Sequence, residues 1–238
     1  MTTVPSRLIA NPLRDADVRA LRRLNTCEVS DAIESFNVRL RNTGFADRSI
    51  QCLYRDLPPM VGYAATARLR TDDPPIAGRT YHDRTDWWNS ILQVPAPRIA
   101  VLEDMDKPPG VGAFVGEMHA AILMAVGCIG YVSNGAVRKL PGVRELGLHL
   151  FAGNIAVSHA YAHIFDFGAT VTVGGLEVRP GDLLHGDEHG LLTIPLEIAS
   201  QVPAEAARLQ AKEQRVVDIC RSEHFSVESL RQALQEFR

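Results

Sequence analysis

The chain of 238 residues is short of the features that announce a function outright. No apolar run approaches the roughly 20 residues that a bilayer-spanning helix requires, so no membrane partner is expected. Cysteine is sparse: Cys27, Cys52, Cys128 and Cys220 are scattered and form no CxxC pair. That pattern points to a reduced, cytoplasmic setting. Cys128, inside the apolar run MAVGCIGYV, reads as a small buried hydrophobe. There is no excess of positive charge, with 25 Lys and Arg against 28 Asp and Glu. Nucleic acid is therefore not an expected partner. The local cluster Arg19, Arg22 and Arg23 falls at helical spacing and reads as a solvated face. The opening residues MTTVPSRLIANPLRDADV contain no apolar segment of the secretory-leader type. A P-loop, a dinucleotide fingerprint and a Ser–His–Asp spacing are also missing, and Gly110–Val111–Gly112 is too short to stand in for a phosphate loop. The chain carries neither an internal repeat nor a low-complexity linker.

What remains is an ordinary globular balance, 46% hydrophobic and 22% charged, patterned as an α/β fold. Residues 16–24 carry Val18, Leu21 and Leu24 on one helical stripe. Asn25, with Glu28 three residues on, predicts a capping box that opens a second helix ending near Phe36 and Asn37. Residues 61–70 read as a strand, as do 98–103 (RIAVLE). A glycine-containing turn over 111–116 then leads to a helix over 117–126 and a strand over 129–133, closed by Asn134–Gly135. A short helix over 142–146 and a strand over 150–157 follow. Strand, helix, strand, short helix, strand predicts a parallel βαβ arrangement with right-handed crossovers. From Phe167 the pattern turns antiparallel: 170–173 meets 177–179 across Gly174–Gly175, a two-residue hairpin signal. Further strand pieces lie at 183–184 and 191–194, and the tail from Leu196 is helical. Its last helix is capped by Ser226, with Phe225 and Leu230 spaced for a hydrophobic staple. The expected organisation is an α/β domain over 1–200, with N-terminal helices, and a helical extension over 201–238. That extension packs on the same domain or on a neighbouring subunit.

Two features combine into a candidate anion site. Gly116 sits where a strand gives way to a helix, which leaves backbone N–H groups and the positive end of the helix dipole pointing outward. Arg138 follows the next strand, at the edge where open α/β sheets tend to bind ligands. Backbone donors and a guanidinium fork can then converge on a small carboxylate. The bland alternatives are a simple turn and a surface ion pair. His159 and His163 have metal-like i, i+4 spacing, yet VSHAYAHIF has strand composition, so His159, Tyr161 and His163 are expected to line one strand face as structural residues. His185, Asp187, Glu188 and His189 crowd one loop, and can supply a metal ligand, acid–base chemistry or simply a turn.

The segments GEMHAAILMAVGCIGYVSNGAVRKLPGVRELGLHLFAG and PGDLLHGDEHGLLTIP, with SDAI near the start, resemble the RraA-like family over roughly residues 25–200. That family includes 4-hydroxy-4-methyl-2-oxoglutarate aldolases, oxaloacetate decarboxylases and regulators of ribonuclease E. The resemblance implies an α/β/β sandwich assembled as a homotrimer or a dimer of trimers, with sites between subunits. It implies a pyruvate-carboxylate cradle from the loop backbone at Gly116, Glu117, Met118 and His119, completed by Arg138. It also implies a divalent metal, Mg²⁺ or Mn²⁺, anchored by an Asp after that arginine.

Here the chain departs from the family. Lys139 stands at the metal-Asp position, and Gly142 stands where a further acid usually follows. A protonated lysine repels a cation, so the usual metal site is in doubt. Three roles for Lys139 follow: loss of the metal and of catalysis, an ammonium in place of the metal's charge, or a Schiff-base lysine. The expected function is a carbon–carbon lyase acting on a short 2-oxo or hydroxy dicarboxylate through an enolate. Arg138, Lys139, Glu117 and His119 are the catalytic candidates, with Asp187 and His189 as further candidates for proton transfer. The alternative is a non-catalytic regulator that works through protein contacts.

Overall fold

The computed structural model describes residues 12–75 and 85–235. The reading of the opening residues falls mainly on 1–11, outside the described residues. The chain runs through α1 (Asp15–Leu21), α2 (Thr26–Ser35), β1 (Gln51–Cys52), β2 (Met60–Arg70), α3 (Thr85–Leu92), β3 (Arg98–Asp104) and β4 (Ala113–Val115). Next come α4 (Glu117–Ala125), β5 (Cys128–Val137), α5 (Leu140–Leu146), β6 (His149–Ile155) and β7 (His163–Phe167). The hairpin strands β8 (Val171–Val173) and β9 (Leu176–Val178) precede β10 (Leu183–Asp187) and β11 (Gly190–Ile194). Helices α6 (Val202–Arg221) and α7 (Val227–Gln235) follow.

The local signals act as their chemistry dictates. Asn25 Oδ1 accepts from the Glu28 N–H at 2.9 Å, and the Glu28 carboxylate accepts from the Asn25 N–H at 2.7 Å. The capping box is therefore complete. Its price falls on α1, which stops at Leu21 rather than Leu24, because Asn25 must be extended (φ −79°, ψ 164°) to cap the next helix. Gly174 and Gly175, both at positive φ (53° and 71°), make the two-residue turn between Val173 and Leu176.

Nine strands form one nearly closed sheet in the order β1-β6-β5-β3-β2-β10-β11, with β4 also on β5 and β7 also on β2. The β2–β3, β3–β5 and β5–β6 pairs are parallel, and β10, β11, β7 and β1 join antiparallel. Ten of the eleven β2 residues are buried or half-buried, so β2 is a central strand covered on both faces rather than a half-exposed one. On one face Ala65, Ala67, Ala100, Leu102, Tyr131 and Leu150 pack with Trp87 and Ile91 of α3, Leu123 of α4 and Val143 of α5. On the other, Ala64, Ile99, Val101, Val132 and Phe151 pack with Val171, Val173, Leu176 and Val178 of the β8–β9 hairpin. Helices, sheet and hairpin thus make an α/β/β sandwich. A third cluster joins α1, α2 and the start of α6 to the β2–β10–β11 end, through Leu21, Val29, Ile33, Tyr63, Leu192 and Val202. Beyond Ala206 the residues of α6 leave the core, and α7 has no buried residue. Ser226 Oγ accepts from the Ser229 N–H at 3.1 Å, while Phe225 stays exposed. All four cysteines are free. No described helix is long and apolar enough to cross a membrane.

His149 opens β6, and its buried Nδ1 has no hydrogen-bond partner among the described residues. Burial, reinforced by Arg22 and Arg144, pushes its imidazole down to about 4. A neutral imidazole is then required in the folded state, whereas the unfolded chain protonates near 6.5. Stability from this residue is present above pH 6.5 and is lost as the pH falls toward 4. Buried Asp104, raised to about 6 chiefly by burial, acts in the opposite direction over the same range. Urea unfolding of wild type and His149→Gln should therefore converge on acidification, their difference shrinking by up to about 3 kcal/mol between pH 6.5 and pH 4.

Candidate active site

The register of two parallel strands builds the site. In β4 and β5, Ala113 faces Ala136 and Val115 faces Val137, and the Arg138 N–H donates to the Val115 carbonyl at 2.9 Å. Gly116 and Arg138 are the next residues on these strands, so pairing places them side by side. Residues 111–116 are thus not simply a turn, as expected from sequence: they contain β4, a three-residue strand that only its β5 partner defines. Gly116 is extended (φ −136°, ψ −169°), a conformation open to any residue. Its lack of a side chain matters for space, since a Cβ would stand 3.2 Å from Arg138 Cγ. The arginine stem therefore lies along the glycine.

β5 does not stop at Ser133 as expected but runs to Val137. It pairs with β3 through Ser133 and with β4 from Ala136, and Asn134–Gly135 is the splice between them. Asn134 Oδ1 accepts from the Asp104 N–H at 2.7 Å, and its Nδ2 donates to the Asp104 carbonyl at 2.9 Å. Gly135 is needed beside it, because a Cβ would come within 2.8 Å of Asp104 Oδ2. That same oxygen accepts from the Gly110 N–H at 2.8 Å and pins the loop that returns to β4.

Gly116 is the N-cap of α4, whose first helical bond runs from the Ala120 N–H to the Gly116 carbonyl at 2.9 Å. The N–H groups of Glu117, Met118 and His119 therefore have no acceptor within the helix. Arg138 is half-buried, and its Nε is buried without an acceptor among the described residues. Lys139 is exposed and left-handed (φ 52°, ψ 44°) at the N-cap of α5. Gly142 makes room for Glu117: a Cβ there would sit 2.8 Å from the Glu117 carboxyl carbon and Oε2. A cleft of about 690 Å³ brings Gly116, Glu117, Met118, His119, Arg138 and Lys139 together. Phe114 and His119 stack along it with ring centroids 5.0 Å apart, and Trp87 meets Phe114 edge-on at 5.8 Å.

The histidines change places relative to the sequence reading. Only His163 belongs to a strand; residues 158–162 form a turn, with Ala160 at φ 44°, so His159, Tyr161 and His163 do not share a strand face. All three line the cleft instead. The His159 Nδ1–H donates to the Ala160 carbonyl at 2.8 Å, and the His163 Nδ1–H to the Tyr161 carbonyl at 2.7 Å. Composition suggested a strand here, and the only contrary signal is Gly112, whose absent Cβ lets the His159 backbone approach.

His185 and Asp187 lie within β10 rather than in a loop, and neither they nor Glu188 and His189 line the cleft. His185 Nε2–H donates to the Leu21 and Leu24 carbonyls at 3.2 and 3.1 Å, while Nδ1 lies 3.1 Å from the Thr26 hydroxyl. Asp187 Oδ2 accepts from the Thr26 N–H at 2.8 Å, and Oδ1 from the His189 N–H at 2.8 Å. Burial pushes the Asp187 carboxyl up, but these bonds from His189 and Thr26 together hold it below the usual range. The group fastens α2 to the sheet, which corrects its reading as a proton-transfer loop.

The donor set does not match an aspartate-anchored divalent metal. Lys139 and Gly142 supply no carboxylate, and the described residues hold no group of three or more His, Cys, Asp or Glu placed for a metal ion.

These features define an α/β/β-sandwich protein with a cleft lined by Arg138, Lys139 and the start of α4 at the carboxyl edge of its parallel strands. The sequence pattern of the RraA-like family (Aldolase/RraA) matches residues 26–193, and the chain belongs to that family. A candidate 4-hydroxy-4-methyl-2-oxoglutarate aldolase of Halalkalibacterium halodurans is 27% identical over 103 residues, 43% of this chain and 49% of that protein. Protein DlpA of Legionella pneumophila is 21% identical over 202 residues, 84% of this chain and 31% of DlpA. The chain thus spans half or less of the curated relatives it matches. Among solved structures, an uncharacterized protein of Pseudomonas syringae pv. tomato superposes with a TM-score of 0.72 at 21% identity, covering 99% of this chain and 100% of that one. Streptomyces coelicolor RraAS2, of the RNase ES inhibitor RraA family, gives 0.66 at 21% identity, covering 86% and 96%. These likenesses establish the fold.

A left-handed lysine carries about 1 kcal/mol of backbone strain that glycine does not. Lys139→Gly should leave the fold intact and raise the midpoint of thermal unfolding by a few degrees; an unchanged or lower midpoint would show that the Lys139 side chain stabilises the α5 junction.

Proposed function

We propose that the protein is a cytoplasmic carbon–carbon lyase that cleaves or decarboxylates a short 2-oxo or hydroxy dicarboxylate through an enolate. The observation that carries this reading is Arg138, a half-buried guanidinium whose buried Nε has no acceptor among the described residues and which lies along Gly116 in the cleft. Leaving such a donor unpaired costs stability, and a carboxylate would satisfy it. In this reading Arg138 and the N–H groups at the start of α4 orient the substrate carboxylate. In the retro-aldol direction the 4-hydroxyl gives up its proton, the C3–C4 bond breaks, and the electron pair passes to the C2 carbonyl as an enolate. In decarboxylation the bond to the departing CO₂ supplies the same pair. The Lys139 ammonium stands beside Arg138 to balance the enolate charge, with Glu117 and His119 within the same cleft for proton transfer.

The competing reading, a regulator acting through protein contacts, is favoured by Lys139 at the family's metal position. Oxalate or pyruvate should raise the melting temperature of a true carboxylate site. Pyruvate release from oxaloacetate, corrected for the spontaneous reaction, should persist in EDTA and fall about ten- to hundredfold in Arg138→Ala. Turnover unchanged in Arg138→Ala would sink the proposal, and turnover abolished by EDTA would replace Lys139 with a bound metal.

We further propose assembly as a homotrimer or dimer of trimers. Met118, Ile155, Val157 and Tyr161 support it, being apolar side chains exposed at 67%, 55%, 93% and 54% at or near the cleft. Val157→Asp should shift light-scattering mass toward the monomer; a monomeric wild type would refute the assembly.

A further inference from the structure

Resting on the lyase reading, we propose that His163 is a catalytic acid–base residue of the cleft, shuttling one proton between the substrate hydroxyl and the enolate carbon. The argument starts from its tautomer. A carbonyl oxygen can only accept, so the 2.7 Å contact with Tyr161 requires the proton on Nδ1. A neutral ring held this way presents the lone pair of Nε2, and no described hydrogen bond or ion pair engages that atom. Histidines oriented through Nδ1 by a carbonyl are fixed in tautomer and direction.

His163 is half-buried at the start of β7, paired with Arg70 of β2, so its backbone is held by the sheet. His159 shares the tautomer but sits on the exposed turn. Arg70 lies over the Phe165 ring, 5.7 Å from its centroid. Across the cleft stand Glu117, His119, Arg138 and Lys139, with His159 beside.

The chemistry closes on one proton. Nε2 takes the 4-hydroxyl proton as the C3–C4 bond breaks, forming imidazolium, carbonyl product and enolate. The imidazolium then returns that proton to C3, giving pyruvate and neutral histidine, with no change of oxidation state.

The test is pyruvate release from 4-hydroxy-4-methyl-2-oxoglutarate by the full chain, with kcat/KM measured against pH. His163→Ala should lose about 10²- to 10⁴-fold, lose the ascending limb of the profile, and regain activity with added imidazole. His159→Ala should keep the wild-type limb. His163→Ala with an unchanged profile overturns the proposal while leaving the lyase reading standing, as does a loss of activity that imidazole does not restore. Wild type that releases no pyruvate from this substrate or from oxaloacetate overturns both.

Discussion

Asn134 grips the end of β3 by both atoms of its amide, bonding the N–H and the carbonyl of Asp104, and the rest of the site follows from that grip. β5 is longer than either neighbour on its β3 side, so one partner must end and another begin along its edge. The amide clasp finishes the first partner without leaving polar backbone exposed in the sheet. The Asp104 carboxyl then anchors Gly110 and steers the chain back to start the second. Gly135 gives the carboxyl its space. Without this junction β4 would have no register, and Gly116 would have no fixed relation to Arg138.

Local signals were legible where local chemistry decides the structure. Asn25 and Glu28 cap α2 within four residues of chain, and Gly174–Gly175 turns a hairpin whose strands are adjacent. The helix and strand order through α4, β5, α5 and β6 also followed from pattern, whereas the sandwich came from the family resemblance. β4 was hidden because Ala-Phe-Val flanked by glycines has no strand signal of its own; its partner lies twenty residues downstream. The 158–162 turn was hidden for the opposite reason, since β-branched and aromatic residues there suggest a strand that Ala160 interrupts. His185 and Asp187 looked catalytic because polar residues crowd there, yet their partners are the backbone and side chain of α2, 160 residues away in sequence and invisible to it. The proximity of Gly116 and Arg138 was readable; its cause, a one-residue continuation of paired strands, was not.

The electrostatics separate two kinds of polar group. Several that hold the fold are well supplied: Asp187, Asp106 and Asn134 each take several hydrogen bonds, although buried Trp87 Nε1 and His149 Nδ1, outside the cleft, have none among the described residues. Asp106 Oδ2 alone accepts from the Thr71 N–H and hydroxyl. In the cleft, Arg138 Nε and the Nε2 atoms of His159 and His163 lack such partners among the described residues.

Lys139 sits two residues past the last strand pairing, exposed, with its side chain outside every core cluster. The core therefore makes no demand on the side chain there, and only the left-handed backbone favours some residues over others. A single codon at this position can trade an anion for a cation beside Arg138, with strand register, arginine and glycine untouched. On the lyase proposal, mechanism can drift faster than shape within such a lineage, and two members that superpose well would stabilise one enolate by unlike means.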